Sequence, residues 1–257
     1  MSDNIRIGMI KTVPKKLAMA ENWETFEGLV RGAAGRDVEL FCSPEGFLDG
    51  YCSTEDECDR DRLRDEFGQD LSNDSYPTRL KALAVEMSAH IIFGLSEKRG
   101  DRAYNAAVLV DPSGDVVGVY HKTHLQGHDH KYSPGEALPI FDTDLGRIGI
   151  MICADRRWPE TARVLRVGGA DIIMNPTYGM WGDANEGWMR TRSYENGVHI
   201  CFTHPNVALI TDPEGNVSGK LQSNIPDVLI HDVDISLNDA RSHLNDRRPD
   251  LYGPLTE

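Results

Sequence analysis

The segment Gly146–Pro176 reads GRIGIMICADRRWPETARVLRVGGADIIMNP. Its first eight residues, ending at Cys153, form an apolar run with the length of a buried strand. WPETARVLRVGG follows with proline in its first turn and two glycines at its end, the punctuation of a helix. DIIMNP is then a second short buried strand. Between strand and helix stands Cys153-Ala154-Asp155-Arg156-Arg157, a thiol at a strand end with two arginines beside it.

The same alternation extends in both directions. IRIGMI (5–10) reads as a strand, residues 18–35 as an amphipathic helix, DVELFCSPEG (37–46) as a strand ending in a turn, and 72–89 as a helix. HIIFGLSEKRGD is a strand and turn, and two alternating runs flank Asp111-Pro112-Ser113-Gly114-Asp115, which is hairpin chemistry. After residue 176 come a helix over 184–197, strands VHICFT and VALITD, a DPEGN turn, and a last strand DVLIHDVDI. Helices alternating with strands, interrupted by hairpins, predict mixed sheets with helices packed outside, a layered α/β sandwich. No sequence repeat or linker divides the 257 residues. The expectation is one domain over 1–257, with the polar tail 236–257 lying on the surface or on a partner subunit.

Composition narrows the function. A net charge of −14 and a pI of about 5.0 argue against a nucleic-acid surface and against anionic membranes. No apolar run approaches the roughly 18 residues of a membrane span, and the N-terminus lacks a leader pattern. Five scattered cysteines predict reduced thiols rather than a disulfide framework, hence a cytoplasmic protein.

Three residues end predicted strands and precede loops: Glu45 in SPEGFLDGY, Lys122 in GVYHKTHL and Cys153. A carboxylate, an ammonium and a thiol meeting there would supply proton transfer, charge stabilisation and a nucleophile. Singly, each has a plain structural reading: a buried cysteine fills core, and the two charges form a salt bridge.

PEGFLDGY, YNAAVLVDPSGDVVGVYHKTHL and GRIGIMICADRRWPETARVLRVGGADIIMNP together resemble the three signature blocks of the nitrilase superfamily of carbon–nitrogen hydrolases, in the same order. RRPDLYGPL resembles the tail of many members, so the likeness spans the chain. It implies a four-layer αββα sandwich of two mixed sheets, with Glu45 as general base, Lys122 as oxyanion partner and Cys153 as nucleophile. The backbone N–H of Ala154 would be a second oxyanion donor. It also implies no metal or organic cofactor, and a homodimer or higher oligomer. CADRRWPE and KTHLQGH resemble N-carbamoyl-D-amino-acid amidohydrolases, in which paired arginines help bind the substrate carboxylate. Arg156 or Arg157 is therefore expected to bind substrate, which would be a small amide or N-carbamoyl compound; Tyr51, Tyr178 and Trp181 are expected as pocket walls or as packing and subunit-contact residues, and Trp188 as packing. Arg157 is expected to pair with an acid such as Asp155 or Glu160, or Asp155 to cap the helix at Trp158-Pro159.

Two departures from the family pattern stand out. The chain is short after VHICFTHPN, which would open the site or alter subunit contacts. No glutamate lies between Lys122 and Pro134, where many members carry a second one. His130 is the expected substitute, with His128 and Asp129 as alternatives. His121, His124, His128 and His130 also raise a metal-dependent hydrolase as a competing reading, and the missing glutamate raises a catalytically weakened binding or assembly protein.

Overall fold

A computed structural model of the chain describes residues 3–179, 182–238 and 242–256. The strands are β1 (Asn4–Lys11), β2 (Leu40–Cys42), β3 (His90–Arg99), β4 (Arg102–Val110), β5 (Val116–His121), β6 (Ile140–Thr143), β7 (Gly146–Ile150), β8 (Ile172–Pro176), β9 (His199–His204), β10 (Val207–Thr211), β11 (Val217–Gln222) and β12 (Asp227–Asp234). They form two six-stranded sheets, ordered β12-β1-β2-β3-β4-β5 and β11-β10-β9-β8-β7-β6. In each, three adjacent strands are parallel, β1 to β3 and β7 to β9, and antiparallel strands flank them. The two sheets thus repeat one strand pattern, with β12 from the C-terminal part completing the first, although no repeat is visible as sequence.

Side-chain alternation builds the layers. Ile5, Ile7, Met9, Leu40 and Cys42 from the first sheet meet Ile148, Ile150, Ile172, Met174 and Cys201 from the second. The intervening residues point the other way, which is why the strands read as unbroken apolar runs. Phe41 and Phe93 pack on Trp23 and Phe26 of the helix Met19–Gly32. Met151, Ile173 and Phe202 pack on Leu165 and Met189 of the helices Pro159–Val167 and Ala184–Asn196. Each fully buried large apolar side chain contributes about 1.5–3 kcal/mol. Three apolar interfaces define four layers, αββα, as the resemblance implies.

Several boundaries differ from expectation. The strand at 37–46 is paired only over Leu40–Cys42, because Ser43–Gly46 peels away to present Glu45. Close approach makes this possible: a Cβ on Gly94 of β3 would lie 2.4 Å from the Pro44 carbonyl oxygen, so only glycine admits the Glu45 loop. β6 and β11 are strands that the pattern did not announce. Beyond β12, short helical turns at Ser242–Asn245, Pro249–Leu251 and Gly253–Thr256 carry the tail, and Arg247, Tyr252 and Leu255 border a cavity with Pro159, Arg163 and Val164. Among the described residues no helix is long and apolar enough to cross a membrane.

Candidate active site

Glu45, Lys122 and Cys153 arrive from β2, β5 and β7 at one end of the sandwich, and all three are buried. Lys122 Nζ donates to Glu45 Oε1 at 2.7 Å and to Asp129 Oδ2 at 2.6 Å. It also lies 3.2 Å from Tyr51 Oη, which itself donates to Asp129 Oδ1. Glu45 is held from two further sides, by Asn105 Nδ2 on Oε1 at 2.8 Å and by the Tyr178 N–H on Oε2 at 2.9 Å. Burial opposes the Lys122 ammonium, but Glu45, Cys153 and Asp129 outweigh it and hold its pKa above the ordinary lysine value.

Cys153 occupies a left-handed turn, with φ of 45°. A non-glycine residue there is strained by about 1–3 kcal/mol, so neighbours must fix it. Asp155 is fully buried and does so. Its carboxylate accepts the Ile152 N–H at 2.8 Å, the Tyr120 hydroxyl at 2.7 Å, and the Thr123 hydroxyl and His124 N–H at 3.0 Å each. That ties the Cys153 turn to the segment following Lys122. Asp155 therefore neither caps the helix at Trp158-Pro159 nor pairs with Arg157, whose Nη1 reaches Gln126 Oε1 at 3.0 Å. Burial pushes the Cys153 thiol up, Glu45 pushes it further, and Lys122 and Arg156 pull it partly back.

Arg156 is fully buried. Its Nε and Nη2 share Asn185 Oδ1 at 3.0 and 2.7 Å, Nη2 also reaches the Gly179 carbonyl at 3.1 Å, and Nη1 lies 3.4 Å from Cys153 Sγ. Trp188 and Phe202 lie beside the guanidinium, 5.7 and 5.5 Å from it. Ala154 begins the short 3-10 turn with Cys153. Tyr51 and Tyr178 border the group with ring centroids 5.1 Å apart, and Trp181 lies outside the described residues.

His130 does not join this cluster. It is exposed, and its carbonyl accepts from Arg60. The acid beside Lys122 is Asp129, one of the alternatives, on a single 3-10 turn, Gly127–Lys131. The histidines expected as a set separate: His121 pairs with Glu97 and stacks on Tyr104, His124 contacts Asp155 and stacks on Trp158, and His128 meets the Tyr51 ring edge. Among the described residues no three His, Cys, Asp or Glu side chains are grouped to hold a metal ion. Residues that the sequence did not single out are Asn105, Asn185 and His204. Burial depresses His204 to about 4, so it stays neutral beside Arg156.

The family model for carbon-nitrogen hydrolases matches residues 6–241. The chain belongs to the carbon-nitrogen hydrolase family. It is 29% identical over 96% of its length to a nitrilase of Pyrococcus abyssi, covering 99% of that protein. It is 25% identical to an N-carbamoylputrescine amidase of Arabidopsis thaliana, over 92% of this chain and 90% of that one. Among solved structures, an amidase from Nesterenkonia sp. superposes with a TM-score of 0.82 at 21% identity, covering 98% of this chain and 96% of its own. A variant of that amidase shows covalent addition of the acetamide moiety of fluoroacetamide at the active-site cysteine.

Proposed function

We propose that this carbon-nitrogen hydrolase cleaves the C–N bond of a small amide or N-carbamoyl compound through a thioester on Cys153. The observation that carries the reading is the buried Glu45–Lys122–Asp129 chain, at 2.7 and 2.6 Å, beside a thiol on a strained turn. Glu45 takes the thiol proton, and the thiolate attacks the carbonyl carbon. Lys122 and the Ala154 N–H hold the developing oxyanion. Glu45 returns its proton to the leaving nitrogen, then takes one from the water that hydrolyses the thioester. Covalent addition at the cysteine of the Nesterenkonia amidase supports the nucleophile assignment.

Arg156 has a more confined part than the carboxylate fork expected for it. With most of its donors occupied and Nη1 against Cys153 Sγ, it stabilises the thiolate and the reacting end of the substrate. Asp129 replaces the second glutamate. Asp129→Asn keeps the size but removes one of the two charges on Lys122. It is expected to lower kcat by about 10²-fold and stability by about 1–3 kcal/mol, read from steady-state kinetics and urea unfolding. Wild-type kinetics would return the role to another residue.

The reading is tested by intact-mass spectrometry during turnover of a mixed library of amides and ureido compounds. An acyl adduct mapped to Cys153 supports it. Turnover that survives thiol alkylation and stops with a chelator would support the metal-dependent alternative. A wholly inert protein would favour the weakened binding member, against which stand the retained Glu45, Lys122 and Cys153 and the acid supplied by Asp129. We place the enzyme in the cytoplasm as a single catalytic unit over 1–257 that assembles into a homodimer or larger oligomer.

A further inference from the structure

Lys16 lies outside the catalytic chain, in the polar stretch TVPKK after β1, yet the structure fixes it at the border of the site. Leu17 adopts a left-handed φ of 58° and donates its N–H to the Asp49 carbonyl at 3.0 Å. The Asn22 amide bridges the Lys15 N–H and carbonyl at 2.7 and 2.8 Å. The segment presses on the loop before Tyr51 so closely that a Cβ on Gly50 would lie 2.3 Å from the Lys15 carbonyl oxygen. These contacts fix the backbone from which the Lys16 side chain extends.

That side chain lies against the two tyrosines that border the site. Lys16 Nζ sits 4.4 Å from the Tyr178 ring centroid and 5.8 Å from that of Tyr51. The Tyr178 N–H holds Glu45 and the Tyr51 hydroxyl meets Lys122 and Asp129, so the same two residues touch the catalytic chain and Lys16. The Lys16 ammonium bonds the Thr54 hydroxyl at 2.5 Å and the Tyr51 carbonyl at 3.3 Å, and its acidic neighbour, Glu55, stands 3.6 Å away with 35% of its side chain exposed. Lys122, by contrast, is held by two fully buried carboxylates. The Lys16 side chain is itself 31% exposed, so an incoming group can reach its ammonium, whereas Arg156 is fully buried beside the sulfur.

Resting on the hydrolase reading above, we propose that Lys16 sets the charge of the substrate: it favours a small amide or ureido compound whose far end bears a carboxylate and disfavours one whose far end bears an ammonium. A carboxylate entering over Tyr51 and Tyr178 displaces Glu55 from the ammonium, and a cation meets repulsion there. N-carbamoylputrescine, named for the Arabidopsis relative, has an ammonium at that end.

The test compares 4-ureidobutyrate with N-carbamoylputrescine, which match in length and differ in terminal charge. Both kcat/KM and, in a Cys153→Ala background, calorimetric affinity are measured. The wild-type preference for the carboxylate compound is expected to fall about ten-fold in Lys16→Gln and to invert in Lys16→Glu, and 0.5 M salt compresses it. Lys15→Gln, an exposed lysine paired with Glu21, serves as the control and leaves the ratio alone. A preference that both Lys16 variants leave unmoved, or no preference at all, overturns the proposal. Selective binding that Lys16 controls, without turnover, upholds it and tells against the hydrolase reading alone.

Discussion

Cys153→Ala is expected to remove about 10⁴-fold or more of the hydrolytic rate while leaving the fold intact. The size follows from the role: without the sulfur no thioester forms, and what survives is oxyanion stabilisation of direct water attack. The fold tolerates the change because only one sulfur atom is lost. Arg156 still holds Asn185 and the Gly179 carbonyl, and Asp155 still fixes the turn. Urea unfolding should place the variant within about 1 kcal/mol of the parent. The same variant should bind amides without consuming them. Turnover within ten-fold of wild type would remove Cys153 as nucleophile and reopen the other thiols. Those are poor substitutes: Cys42, Cys52, Cys58 and Cys201 are buried, and burial raises the pKa of each, Cys42 to about 12.

The position of Cys153 was legible because its strand is. Ile148, Ile150 and Ile152 face the other sheet while Met151 faces a helix, so a run apolar on both faces had to stop where the chain leaves the sandwich, at Cys153. β6 and β11 were not legible for the opposite reason. Ile140–Thr143 is only four residues long, and Val217–Gln222 alternates between half-buried and exposed positions, with a glycine and a lysine inside it. Edge strands take their hydrogen bonds from a neighbour the sequence does not show.

Within the site, what the sequence lacked was direction. Four histidines within ten residues look like a ligand set, but a strand end, a turn and a single 3-10 turn aim them at different partners. Spacing from Lys122 pointed to His130. The 3-10 turn points its neighbour Asp129 inward instead, where it pairs with the buried Lys122 ammonium, and leaves His130 exposed. Arg156 was singled out by its type, but its bond to Asn185 was not foreseeable, because that partner lies on a helix 29 residues away in the chain.

Glu45→Gln separates the base from the electrostatics around it. Three donors converge on the carboxylate: Lys122 Nζ and Asn105 Nδ2 on Oε1, and the Tyr178 N–H on Oε2. A glutamine that keeps its oxygen toward Lys122 turns its NH₂ at the Tyr178 N–H, donor against donor, and costs about 1–3 kcal/mol of stability. Turnover should fall by about 10³-fold or more, since an amide cannot carry a proton to the leaving nitrogen or take one from water. The thiol itself should respond in the opposite sense. The Glu45 charge raises the Cys153 pKa, so removing that charge lowers it, while Lys122 and Arg156 continue to favour thiolate. At neutral pH the thiolate fraction therefore increases, and iodoacetamide should alkylate Cys153 faster in the variant than in the parent, with the pH profile of alkylation moved to lower pH. A more reactive sulfur in a nearly inactive enzyme identifies Glu45 as the proton carrier. Slower alkylation, or turnover retained within ten-fold, would assign that work elsewhere.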